Sequence, residues 1–208
     1  GVESARKLTL KAELGSCRNE WDVWVYPEQP KVEETNFIYT RIWNDKTKQW
    51  LDEGKSVLLI PEKCQGRKAH FASHNWNPMI VGTLIDNEHP AFRDFPTGNY
   101  ADWQWWDILN YSTALELDEL KEITPLIQSI DSYETNQKLG ISFEANVGKG
   151  KLFVLCADPE KKIGERLAMQ QLLTSVRNYV SSDRFKPERS LPVYQLDALF
   201  APAAEEKS

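Results

Sequence analysis

A chain of 208 residues, 41% hydrophobic and 27% charged, is long enough for one large domain or one domain plus a fragment, and its composition excludes disordered and fibrous classes. A formal charge of -6, with Lys and Arg scattered along the chain, excludes the basic stripe with which a nucleic-acid binder neutralises phosphates. No apolar run approaches the roughly 20 residues of a membrane-spanning helix, so membrane insertion is not expected. No secretory pattern opens the chain, which reads as already trimmed, with Gly1 a processing remnant.

"KLTLKAEL" (7–14) and "EWDVWVY" (20–26) alternate polar and apolar residues around the turn-like "GSCRN", which predicts two half-buried antiparallel strands. Two strands alone are marginal in water. Residues 1–30 are therefore expected to be the last strands of a truncated β-sandwich and a linker, the earlier strands lying outside the sequence. From residue 36 the texture changes. "NFIYTRI" is strand-like, and "NDKTKQWLDE" (44–53) predicts a helix capped by Asn44 and closed at Gly54. The unbroken apolar run "SVLLIP" (56–61) predicts a strand buried on both faces of a parallel sheet.

Residues 62–101 lack a long periodic segment and predict loops, with short helices near 70–80 and 101–110. "PLIQSID" (125–131) reads as a strand, and residues 139–157 as two strands joined through "NVGKG". "GERLAMQQLLTSVRNYV" (164–180) predicts the longest helix, its stripe formed by Leu167, Leu172, Leu173, Val176 and Val180. Strands alternating with helices predict an α/β domain over residues 31–195, an open, mostly parallel sheet flanked by helices. Residues 196–208 read as a frayed tail.

Cys17, Cys64 and Cys156 are odd in number and fit neither a zinc knuckle nor a disulfide framework, so they read as free thiols. Cys64 follows a buried parallel strand, where doubly wound folds place reactive groups, yet of the small residues a strained nucleophile turn needs only Gly66 is present. His70 and His74 stand four apart, but Phe71 occupies the position where a zinc protease carries glutamate. "NVGKGK" lacks phosphate-loop spacing and reads as a turn, and the sequon "NYS" at 110–112 reads as chance. Glycoside hydrolysis needs two carboxylates roughly 5 to 10 Å apart. Glu62, Asp86, Asp102, Asp107, Glu144 and Asp158 are candidates, with no pair distinguished.

"FPTGNYADWQWWDIL" (95–109) sets three tryptophans in four positions. With Asp102 as N-cap and a helix from 103, Trp103 and Trp106 share one side while Trp105 and Leu109 share the next. Large aromatics dominate cores and also stack on sugar faces, so this stretch reads as core or interdomain packing, with a carbohydrate platform of Trp103, Gln104, Trp105, Trp106 and Asp107 as the alternative.

"NEWDVWVYP", "GKSVLLIP", "NWNPMIVGTLIDNEHPAFRDFPTGNYADWQWWDIL", "GKGKLFVLCADPE" and "SDRFKP" together resemble the C-terminal region of bacterial glycoside hydrolases of the family 2 type that carry a sugar-binding domain. The resemblance implies a flavodoxin-like fold, related to class I glutamine amidotransferases and to the β-galactosidase trimerisation domain, that follows an immunoglobulin-like sandwich to which the strands of residues 1–30 would belong, in a periplasmic or extracytoplasmic protein. It also implies a lost active site. Where amidotransferases have His-Pro-Glu this chain has Asp158, Pro159 and Glu160, and the nucleophile motif around Cys64 is degraded. The glycosidase carboxylates of that family lie in a barrel of about 250 residues, which this sequence does not contain. The expectation is a non-catalytic accessory domain, without cofactor or metal, that supports or oligomerises a glycosidase. Its expected partners are other domains of the same polypeptide, a second copy or a saccharide, and neither nucleic acid nor membrane. A residual hydrolase around Cys64 and Asp158 is a third reading.

Overall fold

The computed structural model describes residues 1–28, 36–71 and 80–200, the side chains of 80 and 81 aside. Strands β1 (Arg6–Leu14) and β2 (Cys17–Val25) form an antiparallel hairpin in unbroken register from Arg6↔Val25 to Leu14↔Cys17. Gly15, with φ at +60°, supplies the left-handed backbone of a two-residue turn, tighter than the five residues of "GSCRN" suggest.

The alternation of residues is as expected, but the burial is not. Leu8, Leu10, Leu14, Trp21 and Val23 share one face and remain 39–84% exposed. The reading of these strands as half-buried is thus corrected, because no described element lies against that face. On the other face Lys7 pairs with Asp22 at 2.7 Å and Lys11 with Glu20 at 3.3 Å, exposed pairs that each contribute little. The hairpin is anchored at its root. Trp24 Nε1 donates to the Pro96 carbonyl at 3.2 Å, and the Tyr26 hydroxyl to Gln104 Oε1 at 2.8 Å.

The body of the chain is one mixed sheet with helices. Its strands are β3 (Ile38–Thr40), β4 (Ser56–Leu59), β5 (Gly66–Lys68), β6 (Ile80–Ile85), β7 (Thr113–Glu116), β8 (Ile127–Asp131), β9 (Lys138–Val147) and β10 (Gly150–Leu155). They are ordered β3-β4-β10-β9-β7-β5, with β8 also on β9 and β6 on β8. The helices are α1 (Asp45–Asp52), α2 (Trp105–Leu109), α3 (Leu167–Ser181) and α4 (Val193–Phe200).

Helix α1 forms where its signals place it. The Asn44 side chain accepts from the Thr47 amide at 3.1 Å, and Gly54, at φ +84°, lies just past its end. This helix carries the crossover that sets β3 parallel to β4. Val57, Leu58 and Leu59 then pair in parallel with Leu152, Phe153 and Val154, and all six side chains are fully buried. Burying an aliphatic or aromatic side chain of this size contributes about 1.5–3 kcal/mol. These two runs form the centre of the core.

The expectation of a mostly parallel sheet is corrected. Among the described strands only β3 with β4 and β4 with β10 run parallel, whereas β10 with β9, β7 with β9, β8 with β9, β5 with β7 and β6 with β8 are antiparallel. The reason is connectivity: the short turn through Gly148 and Lys149, with Gly148 at φ +58°, can join only antiparallel neighbours. Gly150, where β10 starts, lies against the end of α1. A Cβ there would stand 2.5 Å from the Lys55 carbonyl oxygen and 2.7 Å from that of Leu51. Gly150→Ala is therefore expected to cost about 1–3 kcal/mol in a urea melt.

Three further local expectations change. Residues 62–101 contain strands β5 and β6, and α2 is confined to 105–109; the helix expected near 70–80 lies largely outside the described residues. The frayed tail from 196 is a helix as far as Phe200, since Leu196, Leu199 and Phe200 repeat at helical spacing and are buried. Asp197 anchors it, accepting from Trp43 Nε1 and Lys48 Nζ, each at 2.7 Å. Leu167 drops out of the apolar stripe of α3 because, at the first turn, it is 59% exposed.

Asp131, at the end of β8, organises the turn into β9. It accepts from the Ser132 and Gln137 amides at 2.8 Å each, from Thr135 Oγ1 at 2.7 Å and from Arg67 Nη1 at 3.1 Å. Burial pushes its pKa up, but these donors outweigh burial and hold it below the ordinary 3.8. A depressed carboxyl stabilises the fold fully above its unfolded pKa and loses that contribution as pH falls through the lower folded value. Asp131→Asn is expected to cost about 1–3 kcal/mol at neutral pH. It should also flatten the loss of stability below pH 3.8, as urea melts across the acid range would show.

Candidate functional site

A cleft of about 510 Å³ opens at the carboxyl ends of β4 and β10. The loop after β4 brings Glu62 and Cys64 to it, and the end of β10 brings Cys156 and Asp158. Cys64 is partly buried and Cys156 buried, and both line the cleft, near enough for each to influence the other's ionisation. The neighbouring Cys156 is the largest influence on Cys64 and lowers its pKa; burial opposes it, and Thr113 lowers it further. Cys156 moves the other way, pushed well up chiefly by burial.

Asp158 and Glu160 sit at one rim. Asp158 Oδ1 accepts from the Glu160 amide at 2.9 Å, and Arg41 Nη1 reaches both Asp158 and Glu160 at 3.6 Å. Among the described residues no histidine lines this cleft. The structure therefore brings together Cys64 and Asp158, the two positions singled out in sequence, with no imidazole among the described residues that line the cleft.

Arg166, just before α3, is the buried fastener behind the rim. Its Nε donates to Asp107 Oδ1 at 2.6 Å, its Nη1 to the Asp158 carbonyl at 2.7 Å and the Lys161 carbonyl at 3.0 Å, and its guanidinium stacks 4.4 Å above Tyr111. Sequence reasoning passes over Arg166 and Arg41. Arg166 joins residues 107, 158 and 161, and nothing in the spacing of those positions announces their meeting.

Two other candidate carboxylates, Asp86 and Glu144, line a second cleft of about 390 Å³. Glu144 there accepts from the Tyr179 hydroxyl at 2.8 Å and lies 3.7 Å from His89 Nε2. Burial, then the neighbouring carboxylate, pushes the Tyr179 hydroxyl pKa up. His89 Nδ1 accepts from the Ala91 amide at 3.3 Å, so this imidazole caps a short 3-10 turn. His74 lies outside the described residues, so the His70 and His74 pairing does too. Among the described residues no three His, Cys, Asp or Glu side chains converge as a metal site. No helix there is long and apolar enough to cross a membrane.

The tryptophan stretch divides cleanly. Trp105 is fully buried, donates from Nε1 to Thr97 Oγ1 at 2.8 Å and packs edge-on against Phe95 at 5.2 Å. Gln104 is buried between the Tyr26 hydroxyl and the Pro96 carbonyl, and Asp107 is held by Arg166. Trp103 and Trp106 are 74% and 55% exposed, with Trp103 against Phe71 at 5.4 Å. Asp102 does not cap a helix from 103. It precedes a tight turn in which the Trp105 amide bonds to the Asp102 carbonyl, and burial raises the pKa of its carboxyl. The stretch therefore builds a core and the joint to the hairpin, and of the five platform candidates it leaves Trp103 and Trp106 accessible to a ligand.

No curated protein matches the chain. Residues 38–201, which span the body from β3 through α4 and leave out the hairpin, match a domain of unknown function, DUF8487, and the chain belongs to that family.

Proposed function

We propose that this chain is a non-catalytic accessory domain of an extracytoplasmic bacterial glycoside hydrolase of the family 2 type. On this reading its body is a flavodoxin-like, amidotransferase-like scaffold whose nucleophile position survives without its base. The crossover β3-α1-β4 and the parallel pairing of β4 with β10 support the fold relationship. The observation that carries the functional reading is the hairpin. Its apolar face is bare while its root is hydrogen-bonded to the body at Pro96 and Gln104, which suits a lever on which a neighbouring sheet of the same polypeptide packs.

The double variant Leu10→Lys, Trp21→Lys tests this. In the chain alone both side chains are exposed, so stability should change by less than about 0.5 kcal/mol. In the longer polypeptide the same change should lower the melting temperature by several degrees and loosen the hairpin amides in hydrogen exchange. Equal, negligible effects in both would refute the role of the hairpin.

The exposure of Trp103 and Trp106 favours a second reading, saccharide binding on those rings. Calorimetric titration with oligosaccharides should then give heat that Trp103→Ala removes, and no heat at millimolar ligand would eliminate it.

A further inference from the structure

The two cysteines of the cleft form a unit that neither the accessory role nor the carbohydrate reading uses. We propose that Cys64 and Cys156 are a reversible redox pair, oxidised by a hydroperoxide to an intramolecular disulfide that ties the loop after β4 to the end of β10.

Position carries the argument. Because β4 and β10 are adjacent parallel strands, the segments leaving their carboxyl ends emerge side by side, and both cysteines line the one cleft. Thr113 holds Cys156 in place, its amide donating to the Cys156 carbonyl at 2.8 Å, and Ser112 bridges to Ala157. Cys64 faces the open cleft, while Cys156 is only 5% exposed behind it. This is the arrangement of an attacking thiol and a shielded resolving thiol. Charge reinforces it. Arg41, Lys63, Lys68 and Lys161 line the cleft against Glu62 and Asp158, and a net positive surround favours the thiolate of Cys64.

The chemistry balances in two steps. The Cys64 thiolate attacks one oxygen of the hydroperoxide and the O–O bond breaks, giving a sulfenic acid and, after protonation, water or an alcohol. The Cys156 sulfur then attacks Cys64 Sγ, the S–O bond breaks, and hydroxide leaves with the Cys156 proton as water. Two thiols lose two electrons in total and the peroxide gains them. Closing the bond to about 2.05 Å requires movement of the loop at Pro61–Gln65, in which Glu62 and Lys63 are exposed.

The test treats the whole chain with hydrogen peroxide at equimolar concentration, followed by alkylation under denaturing conditions and peptide mapping without reductant. The expected result is a Cys64–Cys156 linked peptide pair, lighter by two hydrogens and opened by dithiothreitol, with Cys17 alone alkylated. In Cys156→Ala the sulfenic acid on Cys64 should persist and be trapped by dimedone. Because the wild-type map needs no variant, a misfolded Cys156→Ala would leave the primary readout intact. Cys64 passing to sulfinic acid with Cys156 still alkylated, all three thiols unmodified, or disulfides only through Cys17 would each overturn the proposal.

Discussion

Arg166→Ala is expected to lower stability by about 2–4 kcal/mol, because it removes a buried cation and orphans the groups that face it. The Asp158 and Lys161 carbonyls lose their donor, and Asp107 loses its 2.6 Å partner. Asp107 retains 24% side-chain exposure and can regain some water, which keeps the cost below that of a wholly buried pair. Arg166→Lys should fall between the two, since an ammonium keeps the charge but neither forks to two carbonyls and a carboxylate nor stacks on Tyr111. Guanidinium melts would show the order wild type, lysine, alanine. Equal stability of all three would mean that the clamp contributes nothing and that the rim at Asp158 is held by other contacts.

Trp105→Ala should be costlier still, about 3–5 kcal/mol, through the cavity left by a fully buried ring and the loss of its edge-on contacts with Phe92 and Phe95. The neighbouring substitution Trp103→Ala should stay within about 0.5 kcal/mol, because that ring is 74% exposed. Two tryptophans two positions apart thus give opposite outcomes in one denaturation experiment. Similar losses for both would place Trp103 in the core and remove it as a ligand-facing ring.

The parts of the fold legible in the sequence are those with a single physical solution. A run such as Val57 to Ile60 has no polar face, so only a strand covered on both sides suits it, and the run from Leu152 to Cys156 reads the same way. Asn44 and Gly54 mark α1 because each satisfies a need of a helix end. Strand β6 is hidden by Gly82 and by a register shift between Ile80 and Gly82 that breaks its alternation. Helix α4 is hidden because its short apolar repeat runs into an alanine-rich end.

The hairpin shows the limit of pattern. Alternation tells which side chains share a face and is silent on what covers it. In the site, Cys64 and Asp158 are legible from their place after apolar runs. The meeting of Cys64 and Cys156 in one cleft depends on strand order, which a spacing of 92 positions does not encode.

The proposed accessory role implies that the Cys64 thiol, in a cleft that no described imidazole lines, turns over no substrate. The most direct measurement is product formation by the purified chain from glutamine and from aryl glycosides, followed beside a Cys64→Ser control. The account predicts ammonia and phenol release at the buffer rate in both proteins. Turnover well above that rate that disappears in Cys64→Ser would contradict it.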